Sequence, residues 1–234
     1  MLSPKFPTTR WTEVGRAKAD SPEGRGALAE LCHAYYEPVV AFLHSELRDA
    51  EAARELAHDF FTQMLAGGGM IHVQPERGRF RSYLLGAVKH FLSHQRAAQR
   101  RLKRGGGVVN VPLLETEVRQ VPDAGVLSPD AAFDQKWALT VVSHALEALR
   151  HECAAEGHAD LYEQIKPWLT GQAARGDQSV LAATSGLNPN ALKAAVHRLK
   201  RRFRQLLKSE VASTLGDPEL VEDEMRSLFA ALGS

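Results

Sequence analysis

Apolar residues recur at intervals of three and four along most of this chain, and no segment alternates apolar and polar residues convincingly enough to predict a strand. In the first half, the pattern predicts a helix from about residue 27, a second helix that begins at Pro38 and a third that Asp49 caps. The apolar face of the third helix consists of Leu56, Phe60, Phe61, Met64 and Leu65. A triple glycine then breaks the pattern, and a long helix is predicted over residues 79–101. Its buried stripe is predicted to be Phe80, Leu84, Val88, Phe91 and Leu92.

The second half of the chain repeats the helical pattern after a stretch that has no clear period. Residues 105–129 begin with three glycines, contain three prolines and are net acidic, which predicts a flexible linker. Helical spacing resumes near Ala131, and a further helix that carries Ile165 is predicted to be disturbed at Pro167. The first of these two helices has the apolar stripe Phe133, Trp137, Val141, Ala145, Leu146 and Leu149.

A helix-turn-helix pattern follows. Residues 180–183 predict a short apolar helix that ends at Gly186, and Asn188-Pro189 is a typical cap and first helical residue. The next helix has the apolar stripe Leu192, Val196, Leu199 and Phe203, and its other faces are basic. In such a unit the second helix enters the major groove of DNA. The alternative interpretation is a solvated basic helix on the surface of a helical bundle.

The distribution of charge strengthens the nucleic-acid interpretation. The 234 residues include 29 basic and 28 acidic side chains, for a net charge of +1. Eight of the basic residues lie within residues 79–104 and seven within residues 193–208, and neither segment contains an acid. Two separate contacts with a polyanion are therefore expected. The linker spans at most about 80–90 Å when extended, which exceeds two turns of duplex DNA at ~34 Å each.

Aromatic residues within the first basic helix allow two interpretations. Aromatic side chains amid uninterrupted positive charge suit single-stranded or melted nucleic acid, because bases stack on the rings while phosphates pair with the cations. The alternative is that the rings belong to the hydrophobic core. We assign Phe91 to the core, and the pattern leaves Tyr83 open between the two.

The remaining chemistry excludes several classes of protein. Cys32 and Cys153 are the only cysteines, which favours a reducing cytoplasm over a disulfide framework. Neither cysteine belongs to a cluster with the spacing of metal ligands, so no metal is expected. Paired carboxylates, HExxH and P-loop patterns are missing, which argues against an enzyme such as a nucleic-acid hydrolase. No apolar run is long enough for a membrane span, and a cytoplasmic protein without membrane contact is expected.

Five short motifs occur in a characteristic order. They are residues 8–11 (TTRW), 55–61 (ELAHDFF), 75–85 (PERGRFRSYLL), 133–139 (FDQKWAL) and 195–199 (AVHRL). In order and spacing they resemble bacterial extracytoplasmic-function sigma factors of the sigma-70 family, particularly the longer ones that open with a Thr-Thr-Arg-Trp arm. The resemblance covers nearly the whole chain.

The resemblance implies an all-α protein with two small helical domains joined by a flexible linker. The implied parts are an N-terminal arm (1–25), sigma domain two (26–104), the linker (105–129), sigma domain four with the helix-turn-helix (130–210) and an acidic C-terminal helical tail (211–234). The implied partners are core RNA polymerase and promoter DNA, no cofactor is implied, and an anti-sigma factor or another regulator is left open. The implied function is promoter recognition and transcription initiation rather than catalysis. The rival is a helix-turn-helix transcription regulator that never binds polymerase as a sigma subunit.

The family also implies three groups of functional residues. The face that binds the clamp helices of polymerase corresponds to Glu55, His58, Asp59 and Gln63. The residues expected at the melted −10 strand are Arg79, Arg81, Tyr83, Lys89, His90, His94, Arg96 and Arg100. On the recognition helix, the exposed positions of the first two turns predict base contacts at the −35 element for Asn190, Lys193, Ala194, His197 and Arg198. Phosphate contacts are predicted for Lys200, Arg201 and Arg204.

Several positions depart from the family pattern. His58 replaces the usual Gln, Tyr83 the usual Trp, and Ser185 an apolar residue that packs the two helices of the helix-turn-helix together. His90 and His94 stand where Asn and Asp are common, so a different −10 preference is expected. In the tail, Asp217-Pro218 predicts a helix start, and the tail's acid content suggests that it docks across a basic surface and holds the free protein closed.

Overall fold

The computed structural model describes residues 22–66, 79–105, 127–171 and 188–233, and within these ranges all regular structure is helical. The α-helices are α1 (Pro22–Leu47), α2 (Ala50–Ala66), α3 (Phe80–Gly105), α4 (Pro129–Ala155), α5 (Ala159–Leu169), α6 (Pro189–Ala212) and α7 (Val221–Leu232). A short 3-10 helix, Pro218–Leu220, precedes α7. The all-α prediction is confirmed for this part of the chain. None of the described helices is both long enough and apolar enough to cross a membrane.

Local capping determines where several helices begin. The Asp49 carboxylate accepts hydrogen bonds from the backbone N–H groups of Glu51 and Ala52, at 2.9 and 3.1 Å. Asn188 and Asp217 cap the starts of α6 and the 3-10 helix in the same way, and a proline follows each of them. These side chains satisfy N–H groups that have no partner inside the helix, so the caps could be predicted from sequence, and all three are confirmed.

The prediction that a new helix begins at Pro38 is wrong. α1 runs without interruption from Pro22 to Leu47, with Pro38 inside it. A proline inside a helix costs about 3 kcal/mol, because one backbone hydrogen bond is lost and the ring crowds the preceding turn. Tyr35 and Val39, on either side of Pro38, are both buried in the same core, and this packing holds the two halves of α1 in line. α5 likewise continues through Pro167, which lies in its last turn.

One hydrophobic core joins helices from both sides of the predicted linker. α1 packs along α4, and α4 also packs against α6 and α7. Buried residues of α1, α2, α3, α4 and α7 belong to a single cluster, in which the Tyr35 and Phe80 rings meet edge to face at 5.0 Å. The linker itself lies outside the described residues. The division into two domains therefore stays a prediction, whereas the shared core is a property of the described helices.

Two smaller clusters fix α5 and α6 against the far end of α4. Ile165 of α5 packs against Leu192 and Val196 of α6. Nearby, Tyr162 is buried with Leu149 and donates a hydrogen bond from its hydroxyl to the Leu146 carbonyl oxygen, at 3.0 Å. The apolar stripe of α6 is thereby covered, and its basic faces are left outside.

The C-terminal segment folds back onto the start of α3. The Phe80 N–H donates to the Thr214 carbonyl oxygen at 3.3 Å, and Arg79 and Leu215 form an isolated antiparallel bridge. Met225 and Leu228 of α7 are buried in the main core, so the tail forms a helix that packs on the other described helices. On the other side of the same helix, Phe229 is 56% exposed.

Candidate nucleic-acid interface

The basic faces of α6 are open to solvent. All eight residues predicted to contact DNA on this helix are exposed: Asn190, Lys193, Ala194, His197, Arg198, Lys200, Arg201 and Arg204. The predicted stripe is turned inward, with Leu192 and Val196 buried and Leu199 and Phe203 partly buried. The first helix of the predicted helix-turn-helix, together with Ser185 and Gly186, lies outside the described residues. The geometry of α6 is therefore that of a helix that can enter a groove along its basic side.

Ion pairs hold the C-terminal half of α6 in place. Arg202 donates from Nε and Nη2 to both carboxylate oxygens of Glu152 on α4, at 2.7 and 2.6 Å. This pairing lowers the pKa of Glu152 and raises that of Arg202. By contrast, Lys200, Arg201 and Arg204 form no ion pair with any residue that the structure describes. One cation of α6 is thus engaged by both oxygens of a carboxylate on α4, whereas Lys200, Arg201 and Arg204 are available to phosphate.

The N-terminal half of α3 packs as predicted. Phe80, Leu84, Val88 and Leu92 are buried, and Phe91 meets Phe60 edge to face at 5.5 Å. The assignment of Phe91 to the core is confirmed. Tyr83 is half-buried, its ring centroid lies 6.2 Å from that of Phe80, and burial raises the pKa of its hydroxyl. The ring is therefore only partly available for stacking.

The C-terminal half of α3 presents an exposed basic groove. Its lining consists of Lys89, Ser93, Arg96, Ala97, Arg100 and Arg101. Two of these cations have acidic partners at the rim: Lys89 pairs with Asp130 at 2.7 Å, and Arg96 with Glu46 at 2.8 Å. Both pairs are largely solvated, so a phosphate can displace the carboxylates at modest cost. This groove is the accessible part of the predicted −10 surface.

The two neighbouring histidines of the predicted −10 surface face each other on α3. His90 and His94 are one helical turn apart and exposed, and their Nε2 atoms are separated by 3.2 Å. Within the described ranges, no group of three or more His, Cys, Asp or Glu side chains is arranged to hold a metal ion. The pair forms a polar edge beside the basic groove and fits hydrogen bonding to a base or phosphate.

The first turn of α3 has a different environment, because the acidic residues of α7 cover it. Arg81 is buried and donates from Nε and Nη2 to the Glu224 carboxylate, at 2.8 and 3.2 Å. Its Nη1 donates to Asp134 at 2.5 Å, and its Cζ lies 4.4 Å from the centre of the Trp137 ring. Burial disfavours the charge, but the two carboxylates outweigh it and raise the pKa of Arg81. Arg79 also pairs with Glu224, at 3.1 Å, and with Asp223. Arg81 is thus closed to DNA in this conformation, and Arg79 is largely covered.

The acidic partners of this cluster were missed by the sequence analysis, although a signal for them exists. Glu224 falls in register with Leu220 and Leu228 on the apolar stripe of the tail helix. Arg81 falls in register with Leu84 and Val88 in the same way. A charge on an apolar stripe is stable only when it is paired, so two such charges of opposite sign indicate a buried ion pair.

The face predicted to bind polymerase lies on the outer side of α2. Glu55, His58, Asp59 and Gln63 are all exposed, while Ala57, Phe60, Phe61 and Met64 are buried on the opposite side. The prediction that Leu65 faces inward is wrong: it lies in the last turn of α2 and is 51% exposed. It lies at an apolar groove between α1 and α2, lined by Cys32, His33, Tyr36, Glu37, His58, Phe61, Thr62 and Leu65. The polar face therefore borders an apolar groove, a combination that protein interfaces commonly use.

Both cysteines are free thiols. Burial raises the pKa of Cys32 to about 11 and also raises that of Cys153. At neutral pH both are therefore protonated and weakly nucleophilic, which gives neither of them the character of a reactive thiolate.

No family model, curated protein or solved structure matches the chain. The resemblance to sigma factors therefore depends on the order and spacing of the motifs alone, and it stays a prediction.

Proposed function

We propose that this protein is a promoter-specificity subunit of bacterial RNA polymerase, of the sigma-factor type. It binds core polymerase through α2 and contacts promoter DNA through α6 at the −35 element and α3 at the −10 element. The observation that carries the proposal is the arrangement of α6, whose eight predicted contact residues are all exposed while its apolar stripe is packed on α5. Such a helix binds non-covalently: phosphate neutralisation provides affinity, and base-edge contacts provide sequence preference.

The second basic surface supports a subunit that holds DNA at two places. The groove on α3 is lined by four cations and lies on a different helix from the recognition surface. A regulator that only reads a major groove has no need of it, whereas a protein that captures a melted strand requires positive charge along a single-strand path. The exposed face of α2 beside an apolar groove supplies a third surface, suited to a protein partner.

One observation favours a second candidate function. The helices of the two halves share one core and Arg81 is closed off within it, whereas all the predicted contact residues of α6 are exposed. A transcription regulator that uses the helix-turn-helix alone, without polymerase, would need no other surface.

Binding to core polymerase separates the two candidates. We expect the purified chain to co-elute with core polymerase in gel filtration, and Asp59→Lys to weaken the complex at least about tenfold, because it reverses a charge at the centre of the predicted face. Glu163→Lys makes the same charge change on the exposed surface of α5 and is expected to leave binding unchanged. A chain that binds duplex DNA but never associates with core polymerase would be the regulator instead.

The salt dependence of DNA binding tests the division of labour within α6. Neutralising Arg201 by Arg201→Ala is expected to reduce the slope of log K against log salt by about one, without changing sequence preference, because one phosphate contact is lost. Arg202→Ala is the matched control: Arg202 is engaged with Glu152, so the slope is expected to change by less than half as much. A changed preference with an unchanged slope would show that Arg201 reads bases.

A further inference from the structure

A buried carboxylate of α7 occupies the two arginines at the start of α3. Glu224 is fully buried and lies between Arg79 and Arg81, with Nε of Arg79 3.1 Å from one oxygen and Nε of Arg81 2.8 Å from the other. The neighbouring Asp223 also pairs with Arg79. An arginine binds a carboxylate with the same planar fork that it offers to a phosphate. The acidic turn of α7 therefore fills a site that would otherwise suit a phosphate group.

The same contact joins the tail to both halves of the protein. Arg81 reaches Asp134 and stacks over Trp137, both on α4, while Met225 and Leu228 insert into the core beside them. The tail, the start of α3 and the start of α4 therefore meet at one point. Movement of α7 away from this point would uncover both arginines at once.

The junction also contains buried polar groups. The Tyr35 hydroxyl and the Trp137 indole N–H are both buried there. Burial raises the pKa of Tyr35, and Thr214 and Trp137 both interact with its hydroxyl. The ion pairs of Glu224 therefore lie beside further polar side chains within the core.

We propose that α7 is an internal competitor of nucleic-acid phosphate, which occupies Arg79 and Arg81 in the free protein and must leave before the start of α3 can contact single-stranded DNA. The inference rests on the proposed function and adds a mode of regulation to it. The remainder of the basic groove, around Arg100, stays open in the closed state and provides the first contact for the DNA. The DNA phosphates then replace Glu224 and Asp223.

Glu224→Gln tests the proposal, because it removes the charge with little change in side-chain shape. Two quantities are measured on the full chain: amide hydrogen exchange of residues 221–232, and affinity for a fluorescein-labelled single-stranded oligonucleotide. We expect exchange in α7 to become at least about tenfold faster and the oligonucleotide affinity to increase about five- to tenfold, as the binding-competent population grows. The pairing of Arg81 with Asp134 remains in this variant.

Two further variants make the result specific. Glu222→Gln removes the same charge from the same helix, but Glu222 pairs with Lys208 and not with Arg79 or Arg81, so both readouts are expected to change less than about twofold. Asp223→Asn removes the half-exposed partner of Arg79 without disturbing the core. It is expected to give intermediate values, and it keeps the test valid if Glu224→Gln fails to fold.

The outcomes distinguish a failure of the inference about α7 from a failure of the proposed function. Faster exchange in α7 together with tighter oligonucleotide binding supports the proposal. Unchanged exchange, or faster exchange with unchanged affinity, overturns it and leaves α7 a structural element, while the wild type still binds DNA as well as the variants do. If neither the wild type nor any variant binds the oligonucleotide or core polymerase, the proposed function fails, and the inference fails with it.

Discussion

Replacing Trp137 with alanine is expected to lower the free energy of unfolding by about 3–5 kcal/mol, the usual cost of removing a large aromatic side chain from a core. Trp137 is 2% exposed and belongs to the cluster that α1, α3, α4 and α7 share. Its ring also lies beneath the Arg81 guanidinium, so the cation–π contact is lost as well. Urea denaturation followed by circular dichroism at 222 nm measures the change.

A matched control lies two residues further along the same helix. Leu139 is 50% exposed, and Leu139→Ala is expected to change the unfolding free energy by no more than about 0.5 kcal/mol. The urea unfolding curve of the wild type also tests whether the two halves unfold together. If Trp137→Ala cost as little as Leu139→Ala, or if the wild type unfolded in two separate transitions, the shared core would be contradicted.

Arg81→Met is expected to destabilise the chain by about 3 kcal/mol, because it leaves Glu224 buried with only Arg79 as a partner. Replacing both residues, as Arg81→Met with Glu224→Met, is expected to restore at least half of that loss. Two apolar side chains of similar volume need no desolvation of charge, whereas one unpaired charge in a core is costly. A double-mutant cycle on urea unfolding measures the coupling between the two sites.

An exposed ion pair on the same helix provides the comparison for Arg81. Arg96 pairs with Glu46 near the surface, and Arg96→Met is expected to cost less than about 1 kcal/mol. Equal effects of Arg81→Met and Arg96→Met would mean that the Arg81–Glu224 pair is solvated in solution. In that case the start of α3 would already be open, and α7 could not compete for it.

Local interactions explain which parts of this fold could be predicted from sequence. The caps at Asp49, Asn188 and Asp217 involve atoms two or three residues apart, and apolar stripes such as that of α6 repeat every three to four residues. The exposed contact residues of α6 follow directly, because they are the positions outside its stripe. The functional assignment of these residues depends on the motif resemblance and stays a prediction.

The helical class, the caps, the core faces of the main helices and the two basic segments could be predicted from the sequence, because each depends on residues within about one or two turns of one another. Packing between distant segments is what carries α1 through Pro38, leaves Leu65 exposed and joins both halves in one core. The same holds for Arg81, whose partner Glu224 lies 143 residues further along the chain. Helical periodicity predicts which face of a helix is apolar, but the partner that covers a face or neutralises a charge is set by packing between distant segments.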